Sequence, residues 1–555
     1  MTTAPTRPNG SSASAITADQ SSHAFTGTLQ LLRAMIRRDQ IRTPAWIIGV
    51  AVLNMYFANA IKVIAEDTTE LISLTVMFAD PVGRMMTGPG YGMDTPTHER
   101  FYSAGYVLFV LILVALMAIF TVTRHTRADE QAGRSELLRA NVLGRHAPLT
   151  AALIITVCAT TLTSILIYTG AVAAGYATTG SVLIAIGAAA TGWFFAGLST
   201  TTAQLTTSSR SANAIAGAVL ATAYLIRMGG DMGATGGTAL SWGSPLAWAQ
   251  QTAPYVLDRA WPLTLLLVGG AVFIAVGYAL STRRDLNAGL LPGRLGRAHA
   301  HPTLGTPLGF AFRTQRGTLR GWGIALILTS LMYGGFANAM VTAADDLPDE
   351  FAVIFTGDDL LNGYFAYMAL FMAVFTTAAA ISALTHTRAE ETSGRTELIL
   401  STPTHRTTYL ISAITITVAA TVLILILVGL AMAATSAATL TTPPTGLIGT
   451  LVTASIHQLP AALALIGLTT MFLGWFPRAA NPVAWTVIGY SVALSSFGQL
   501  LDLPTWARNL NPFHHLAAYP VEPVNWTPIM WLTALGIAGI LVGLVGWNRR
   551  ELGRI

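Results

Sequence analysis

Few residues in this chain can do chemistry, and the first to consider is a lysine. A P-loop nucleotidase needs a Gly-Lys-Ser or Gly-Lys-Thr sequence, because the lysine amine reaches the terminal phosphates of the nucleotide. Lys62 is the sole lysine among 555 residues, and it lies between Ile61 and Val63. The chain therefore carries no P-loop of its own, and we expect it not to be an enzyme.

An acidic run and a histidine pair are the next candidates. The run Asp345–Glu350 superficially matches the paired-aspartate magnesium motif of prenyl-transfer enzymes. Pro348 interrupts the helix on which both aspartates would have to face one site, so a solvated acidic loop is favoured. His514 and His515 are adjacent, and on a helix they point about 100° apart, which makes a poor metal pair. We expect no catalytic and no metal site, and a polytopic enzyme acting on lipid or isoprenoid is kept as an alternative.

Composition places the chain in a membrane. Charged residues make up 10% of the sequence, against about 25% in soluble domains, so a soluble fold of this size could not cover its surface. An apolar run of about 20 residues crosses the hydrocarbon core as a helix. Twelve spans are predicted on this basis: 44–61, 102–123, 148–176, 181–206, 211–229, 262–281, 321–341, 361–385, 407–439, 445–474, 480–500 and 527–547.

Positive charge decides the orientation. With both termini cytoplasmic, 25 of the 31 lysines and arginines lie on the inner side, which is the arrangement that the positive-inside rule prefers. Arg227, near one end of the fifth span, is expected to reach the headgroups with its long side chain. We expect a multi-pass protein of the bacterial cytoplasmic (inner) membrane, with no nucleic acid partner.

One segment occurs twice. His125–Leu137 and His386–Leu398 are identical at nine of thirteen positions, which indicates a duplication. Each half holds six spans, an even number, so both copies enter the membrane in the same direction. The predicted fold class is an all-α polytopic membrane protein with 12 transmembrane helices in two parallel six-helix repeats.

Each repeat opens with an amphipathic stretch that mixes leucines with arginines, and we expect it to lie in the membrane interface as an elbow helix. These stretches are 25–42 and, more weakly, 308–320. The predicted division of the chain is a disordered tail at 1–24, a first half at 25–285, a linker at 286–304 and a second half at 305–555.

The repeated segment lies between the second and third spans of each half. Each copy carries a glutamate four residues before an arginine, a spacing that allows an ion pair along a helix. The pairs are Glu130 with Arg134 and Glu391 with Arg395. The glycines Gly133 and Gly394 suit a helix C-cap or a sharp turn. A single copy would be read as a solvated linker, but two copies this alike favour docking on another protein.

This pattern resembles the coupling helix of ABC-2-type exporter permeases. The segment Ser241–Gln251, followed by Pro254 and Tyr255, is similar to the fused twelve-span permeases of tetronasin-type polyketide-antibiotic exporters. The second half has a degraded version around Asn511–His515. The resemblance covers nearly the whole chain and implies the membrane subunit of a multidrug or antibiotic exporter that is driven by ATP.

The resemblance also implies partners and site residues. Two ABC ATPase subunits, taken as a homodimer, would supply ATP and Mg²⁺, so no cofactor is expected in this chain. The residues expected to dock them are Arg127, Glu130, Gly133, Arg134, Glu136, Leu137, Arg388, Glu391, Gly394, Arg395, Glu397 and Leu398.

An ion-coupled multidrug transporter of twelve spans is the main alternative. Such a protein needs carboxylates or histidines at membrane depth, yet the predicted spans contain no Asp or Glu, and His457 is the one candidate. The substrate is expected to be a hydrophobic small molecule, since apolar, aromatic-lined cavities suit such ligands. Candidate lining residues are Asn54, Tyr56, Phe57, Tyr106, Phe109, Tyr333, Phe336, Tyr364, Tyr367 and His457.

The lysine inventory gives the first testable prediction. The purified chain alone should show no ATP hydrolysis above a blank, because it lacks the lysine that a P-loop requires. A coupled phosphate-release assay in detergent measures this. Robust turnover by the isolated chain would contradict the assignment of hydrolysis to a partner.

Overall fold

The computed structural model describes residues 24–65, 71–72, 75, 81–134, 143–285, 288–291, 299–343, 360–497 and 504–551. Every regular element within these ranges is a helix, so the predicted all-α class is confirmed. The chain divides into two compact units, Met1–Leu295 and Gly296–Ile555. The division into tail, halves and linker stays a prediction.

The first unit contains eleven labelled α-helices in its described residues. They are α1 (Thr28–Arg38), α2 (Arg42–Ile64), α3 (Pro81–Thr87), α4 (His98–Gly105), α5 (Val107–His125), α6 (Arg127–Gln131), α7 (Ala147–Ala173), α8 (Thr178–Leu205), α9 (Ser209–Gly233), α10 (Pro245–Gln250) and α11 (Pro262–Ser281). A short 3₁₀ turn, Ser241–Gly243, precedes α10.

The second unit continues the series. Its helices are α12 (Pro307–Gly335), α13 (Ala337–Ala343), α14 (Leu360–Leu384), α15 (His386–Thr392), α16 (Arg395–Leu400), α17 (Arg406–Thr439), α18 (Leu447–His457), α19 (Leu459–Trp475), α20 (Pro477–Phe497), α21 (Thr505–Asn509) and α22 (Trp526–Arg549). The 3₁₀ turns Pro302–Gly305 and Pro512–His515 lie before α12 and after α21.

Ten stretches of helix in the described residues are long and apolar enough to cross a membrane. They contain α2, α5, α7, α8, α9 and α11 in the first unit and α14, α17, the α18–α19 pair and α22 in the second. The chain is thus a multi-pass membrane protein. The predicted seventh and eleventh spans correspond to α12 and α20, which are helical but fall outside this group. The total of twelve and the parallel repeat stay predictions.

The two elbow helices turn out differently. In the first unit, α1 is separate from α2 and buries Leu31 and Met35 against α7, while Arg33 and Arg37 stay exposed. In the second unit, the predicted elbow is not a separate helix, because α12 runs without a break into the seventh predicted span. No proline interrupts the sequence after Pro307 in this helix, so its hydrogen bonds continue through it.

The fifth span corrects another prediction. Helix α9 extends to Gly233 and includes Asp231, so the expectation that no span holds a carboxylate is wrong. Arg227 does not reach the headgroups either: its side chain is fully buried and pairs with Asp231 at 3.1 Å. Ser241 donates a hydrogen bond to the same carboxylate, and Arg84 donates to the backbone carbonyl of Asp231. These contacts bind the segment before α4 to the end of α9.

Small residues bring the last helix of each unit against an earlier span. A Cβ built on Gly197 of α8 would overlap the carbonyl oxygen of Gly270 in α11. In the second unit, a Cβ on Gly474 of α19 would overlap the carbonyl of Gly543 in α22. Close backbone approach through small residues is the usual way in which helices associate in lipid. The backbones of α11 and α22 therefore lie directly against those of α8 and α19.

This packing gives the second prediction. Gly474→Ala should lower the unfolding free energy by about 1–3 kcal/mol, because the added methyl group overpacks the α19–α22 contact. Gly489→Ala is the matched control, since nothing lies within 4 Å of the methyl group at that position, and it should be neutral or stabilising by up to about 1 kcal/mol. Thermal unfolding of both variants in detergent makes the comparison. Equal melting temperatures would contradict the close contact.

Candidate functional site

Both copies of the repeated segment begin where a span ends. In the first copy, α5 ends at His125 and the short helix α6 follows. In the second, α14 ends at Leu384, and α15 is followed by α16. Gly133 and Gly394 adopt φ values of 71° and 74°, the left-handed conformation of a helix C-cap glycine. Of the two predicted roles, the helix C-cap conformation is confirmed at both glycines.

The predicted pairing of each glutamate is wrong. Glu130 does not bind Arg134. Its carboxylate accepts a hydrogen bond of 2.6 Å from Arg127, three residues earlier. A second guanidinium, that of Arg284, binds both carboxylate oxygens, one of them at 2.9 Å. We call Arg127, Glu130 and Arg284 the first triad.

The second copy repeats this arrangement. The carboxylate of Glu391 lies 3.1 Å from Arg388, three residues earlier, and does not bind Arg395. Arg550 donates to both carboxylate oxygens, at 2.5 and 2.8 Å. We call Arg388, Glu391 and Arg550 the second triad. In both triads the distant arginine follows the last helix of its unit.

Burial explains why the glutamates choose these partners. The side chain of Glu391 is 2% exposed and that of Glu130 is 11% exposed. A carboxylate out of water needs charged hydrogen-bond donors on both oxygens, and a bidentate guanidinium supplies two of them. An exposed pair four residues apart gives a few tenths of a kcal/mol and cannot compete.

Arg134 and Arg395 pair instead with the preceding acidic residue of the motif. Arg134 lies 2.7 Å from Asp129, and Arg395 binds both oxygens of Glu390 at 2.7 and 2.8 Å. Both arginine side chains are more than half exposed. The hydrogen bond with Glu390 raises the pKa of the Arg395 guanidinium above its usual value. These outer pairs stabilise the turn and leave one face of each arginine accessible to solvent.

The first copy is also tied to the elbow helix. Arg38 of α1 donates to Asp129 at 2.8 Å and lies 2.7 Å from Nδ1 of His125. Asp39, which ends α1, binds Arg124 of α5 at 3.0 Å. Burial would raise the pKa of the Asp39 carboxyl, but the hydrogen bond from Arg124 and the surrounding positive charges outweigh this and lower its pKa. The carboxylate is therefore ionised at neutral pH.

The second copy contacts its own elbow stretch through the equivalent histidine. The hydroxyl of Thr318 in α12 lies 2.8 Å from Nε2 of His386. The opening histidine of each copy thus contacts the elbow stretch of its half, which is the separate helix α1 in the first unit and the first part of α12 in the second. Each copy therefore lies between the elbow stretch, the helix that it follows (α5 or α14) and the end of the last helix of its unit (α11 or α22).

One end of the second copy is exposed. In α16, Thr396 is fully buried and its hydroxyl lies 3.4 Å from that of Tyr409, which fixes the helix against α17. Glu397 is exposed, and Leu398 is 71% exposed. A large apolar side chain that is exposed to solvent beside a carboxylate can enter a groove on a partner. The counterparts Glu136 and Leu137 lie outside the described residues.

The four aromatic residues among the predicted lining residues of the first unit form one cluster. The ring of Phe57 stacks on that of Tyr106 with centroids 4.7 Å apart, and it lies 5.9 Å from Tyr56 and 6.4 Å from Phe109. Asn54 is fully buried and accepts a hydrogen bond from a tyrosine hydroxyl at 2.5 Å, so its oxygen serves helix packing. The lining role of all five stays a prediction.

Three of the predicted lining residues in the second unit lie close together. The hydroxyl of Tyr364 donates to the carbonyl oxygen of Tyr333 at 2.6 Å, and the rings of Tyr333 and Tyr367 both contact one phenylalanine. Phe336 is buried beside the end of α12. His457 is buried at the break between α18 and α19, with its ring 6.3 Å from a tyrosine of the last connection. Their role on a path also stays a prediction.

Sequence reasoning missed the two distant arginines of the triads, although a signal was present. Arg283-Arg284-Asp285 follows α11, and Arg549-Arg550-Glu551 ends the described part of the chain after α22. An arginine pair before an acidic residue at the same place in both halves is a third internal match. Comparing the ends of the last spans would have found it.

The contrast between buried and exposed pairs gives the third prediction. Glu391→Gln should cost about 3–5 kcal/mol of unfolding free energy, because it leaves two largely buried guanidinium groups without a counter-charge. Glu390→Gln removes an ion pair whose arginine is exposed and should cost less than about 1 kcal/mol. Chemical denaturation in detergent measures both. A larger loss for Glu390→Gln would contradict the described burial.

The sequence is similar to those of known proteins. Residues 304–548 match the family described as multidrug efflux system permease Rv1217c, C-terminal domain. Over 500 residues the chain is 36% identical to the multidrug efflux system permease protein Rv1217c of Mycobacterium tuberculosis, covering 89% of each chain. The resemblance to an exporter permease is confirmed by this match. The aligned 500 residues are more than one unit contains, so the match extends over parts of both units. With its repeated motif and membrane helices, the chain belongs to the family of multidrug efflux system permeases related to Rv1217c.

Proposed function

We propose that this chain is the membrane subunit of an ATP-driven exporter of hydrophobic compounds. The name of its relative, a multidrug efflux system permease protein, supports the transport of drug-like substrates. The chain has one lysine and no P-loop, so the energy comes from ABC ATPase subunits, which hold ATP and Mg²⁺. They act as a homodimer with one subunit for each motif copy.

The exposed end of α16 carries this proposal. Leu398 projects from a short helix that is fixed at its other side by buried Thr396, and Glu397 stands beside it. Leu398 is among the most exposed large apolar side chains of the described residues, and a partner that covered it would gain an apolar anchor beside a carboxylate. Leu137 and Glu136 would form the equivalent surface in the first copy.

Burial narrows the docking surface within each motif. Arg127 and Glu391 are almost fully buried in their triads, so they hold the segment in place and do not themselves meet a partner. Arg134 and Arg395 are exposed and can contact one. The glycines set the turn that presents the end of the segment. Docking therefore depends on the exposed residues of the motif, and the buried residues hold the motif in place against its own unit.

Orientation follows from the same assignment. An ATPase in the cytoplasm requires both motif copies, and with them both termini, on the cytoplasmic side of the bacterial inner membrane, as the arginine distribution favours. Substrates would then leave toward the outside. The aromatic clusters around Phe57 and Tyr333 are suited to hydrophobic ligands, because aromatic side chains offer large apolar contact areas.

Ion coupling is less well supported. Asp231 is the carboxylate that α9 places inside a candidate span, and Arg227 neutralises it at 3.1 Å while Ser241 donates to its other oxygen. A carboxylate that must bind and release a coupling ion cannot be held permanently by a buried guanidinium.

Leu398 gives the fourth prediction. Leu398→Asp should reduce the amount of ABC ATPase that copurifies with the tagged chain by at least about tenfold, since central apolar anchors of an interface contribute about 2 kcal/mol or more. Leu291→Asp is the matched control, because the Leu291 side chain is also exposed, at 51%, and lies outside the motif. Undiminished copurification in Leu398→Asp, at equal expression, would contradict docking at α16.

A further inference from the structure

The two triads share a geometry that the docking role does not require. In each, a glutamate of the motif is bound by the arginine three residues before it and by an arginine that follows the last helix of the unit. The sequence separations to that last arginine are 154 and 159 residues. A surface needed only for docking would have no reason to bind the end of the last span in both copies.

These contacts are suited to carry movement. The side chains of Glu130 and Arg284 are 11% and 10% exposed, and those of Glu391 and Arg550 are 2% and 16% exposed. A bidentate guanidinium–carboxylate pair fixes both distance and direction. Apolar surfaces can slide past each other, whereas a pair of this kind moves as one body or breaks. The end of the last span must therefore follow the motif.

Further contacts anchor each arginine to its own helix end. The Arg550 guanidinium lies 4.5 Å from the ring of Trp547, one turn earlier in α22, and the backbone carbonyl of Arg550 accepts a hydrogen bond from Arg406 of α17. In the first unit, Arg284 also donates to the side chain of Gln204 at the end of α8. Each distant arginine is thus a fixed point on the transmembrane bundle of its unit.

The helices reached in this way pass the movement on. Glycine contacts join α11 to α8 and α22 to α19 without intervening side chains. A displacement of the motif would therefore reach two spans of its unit through one ion pair.

We propose that the Arg284–Glu130 and Arg550–Glu391 pairs transmit movement of the docked motif to the last span of each half. Arg284 and Arg550 are positioning residues for coupling between ATP hydrolysis and transport. This inference rests on the proposed function, because the movement originates in the ATPase. It adds a task that docking alone does not include. Without the pairs, the ATPase still binds and hydrolyses ATP, but less substrate is transported for each ATP.

The two triads are unequal. In the first, Arg127 is fully buried, binds Glu130 at 2.6 Å and donates to the carbonyl oxygens of Ala203 and Ala288. The contact with Ala288 therefore keeps the segment after α11 attached to the motif when Arg284 is removed. In the second, Arg388 pairs with Glu391 inside the motif at 3.1 Å, and Arg550 makes the contact with the end of α22. Loss of Arg550 is therefore expected to have the larger effect.

The test compares neighbouring arginines. Arg284→Gln and Arg550→Gln each remove a triad arginine, while Arg283→Gln and Arg549→Gln remove the same charge from the adjacent, exposed position. Each variant is reconstituted with the ABC ATPase that copurifies with the chain, and ethidium is the transported probe. Two quantities are measured at equal amounts of assembled complex: ATP hydrolysed and ethidium transported per ATP.

We expect ethidium transported per ATP to fall about fivefold or more in Arg550→Gln, as for a lost coupling free energy, and less in Arg284→Gln. ATP hydrolysis and assembly should persist, and both controls should match the unaltered chain. Arg550→Lys should restore part of the ratio, because it keeps the charge but not the bidentate geometry. A variant that only destabilises the fold lowers the amount of complex and leaves the ratio unchanged.

The outcomes separate the two claims. An unchanged transport ratio in Arg550→Gln, with the ATPase bound and active, overturns the transmission role and leaves the proposed function standing. If no ABC ATPase copurifies, or ethidium moves without ATP in the unaltered protein, the proposed function fails and the inference fails with it.

Discussion

A glutamate held between two guanidinium groups is the interaction on which the rest of this structure depends. Among the described residues it is found in both units, directly after α5 in the first and after α14 in the second. A carboxylate that is largely out of water needs charged partners, and here an arginine of its own segment and another from the end of the last helix supply them. This requirement fixes where the motif lies, which way its exposed end points and which span it is attached to.

The sequence was sufficient to predict the special segment but not its contacts. The duplication identified the motif, and Gly133 and Gly394 adopt the left-handed conformation that their position suggested. The pairing of Glu130 with Arg134 was wrong because local spacing ignores burial: the carboxylate turns inward, where Arg284 offers two donors. Arg284 lies far away in sequence, so only the matching Arg-Arg-acid ends of the two halves could have indicated it.

Membrane boundaries were predicted less well, for a related reason. Hydropathy ended the fifth span at residue 229, yet the helix continues to Gly233 and includes Asp231, which neutralises Arg227 within the same helix. The second elbow was predicted as a separate helix by analogy with the first. It fuses with the following span, because no proline interrupts the helix after Pro307 and its hydrogen bonds continue into the span.

The repeated motif therefore serves two purposes. Its inner half, with Arg127, Glu130, Arg388 and Glu391, forms ion pairs inside the protein, and its outer half carries the exposed Leu398, which we propose as the contact with a partner. The two copies are similar in the residues of the inner half and in those of the outer half. In the described spans, Asp231 is paired with Arg227 and His457 is buried at the break between α18 and α19, and we propose that the driving energy enters through the motif instead.

The most direct measurement of that claim is ethidium transport in proteoliposomes that contain the chain with or without its ABC ATPase and are energised by ATP or by a proton gradient. The account predicts uptake only with ATPase and ATP present, inhibited by vanadate and indifferent to a protonophore. Uptake driven by the proton gradient alone, with no ATPase in the membrane, would contradict it.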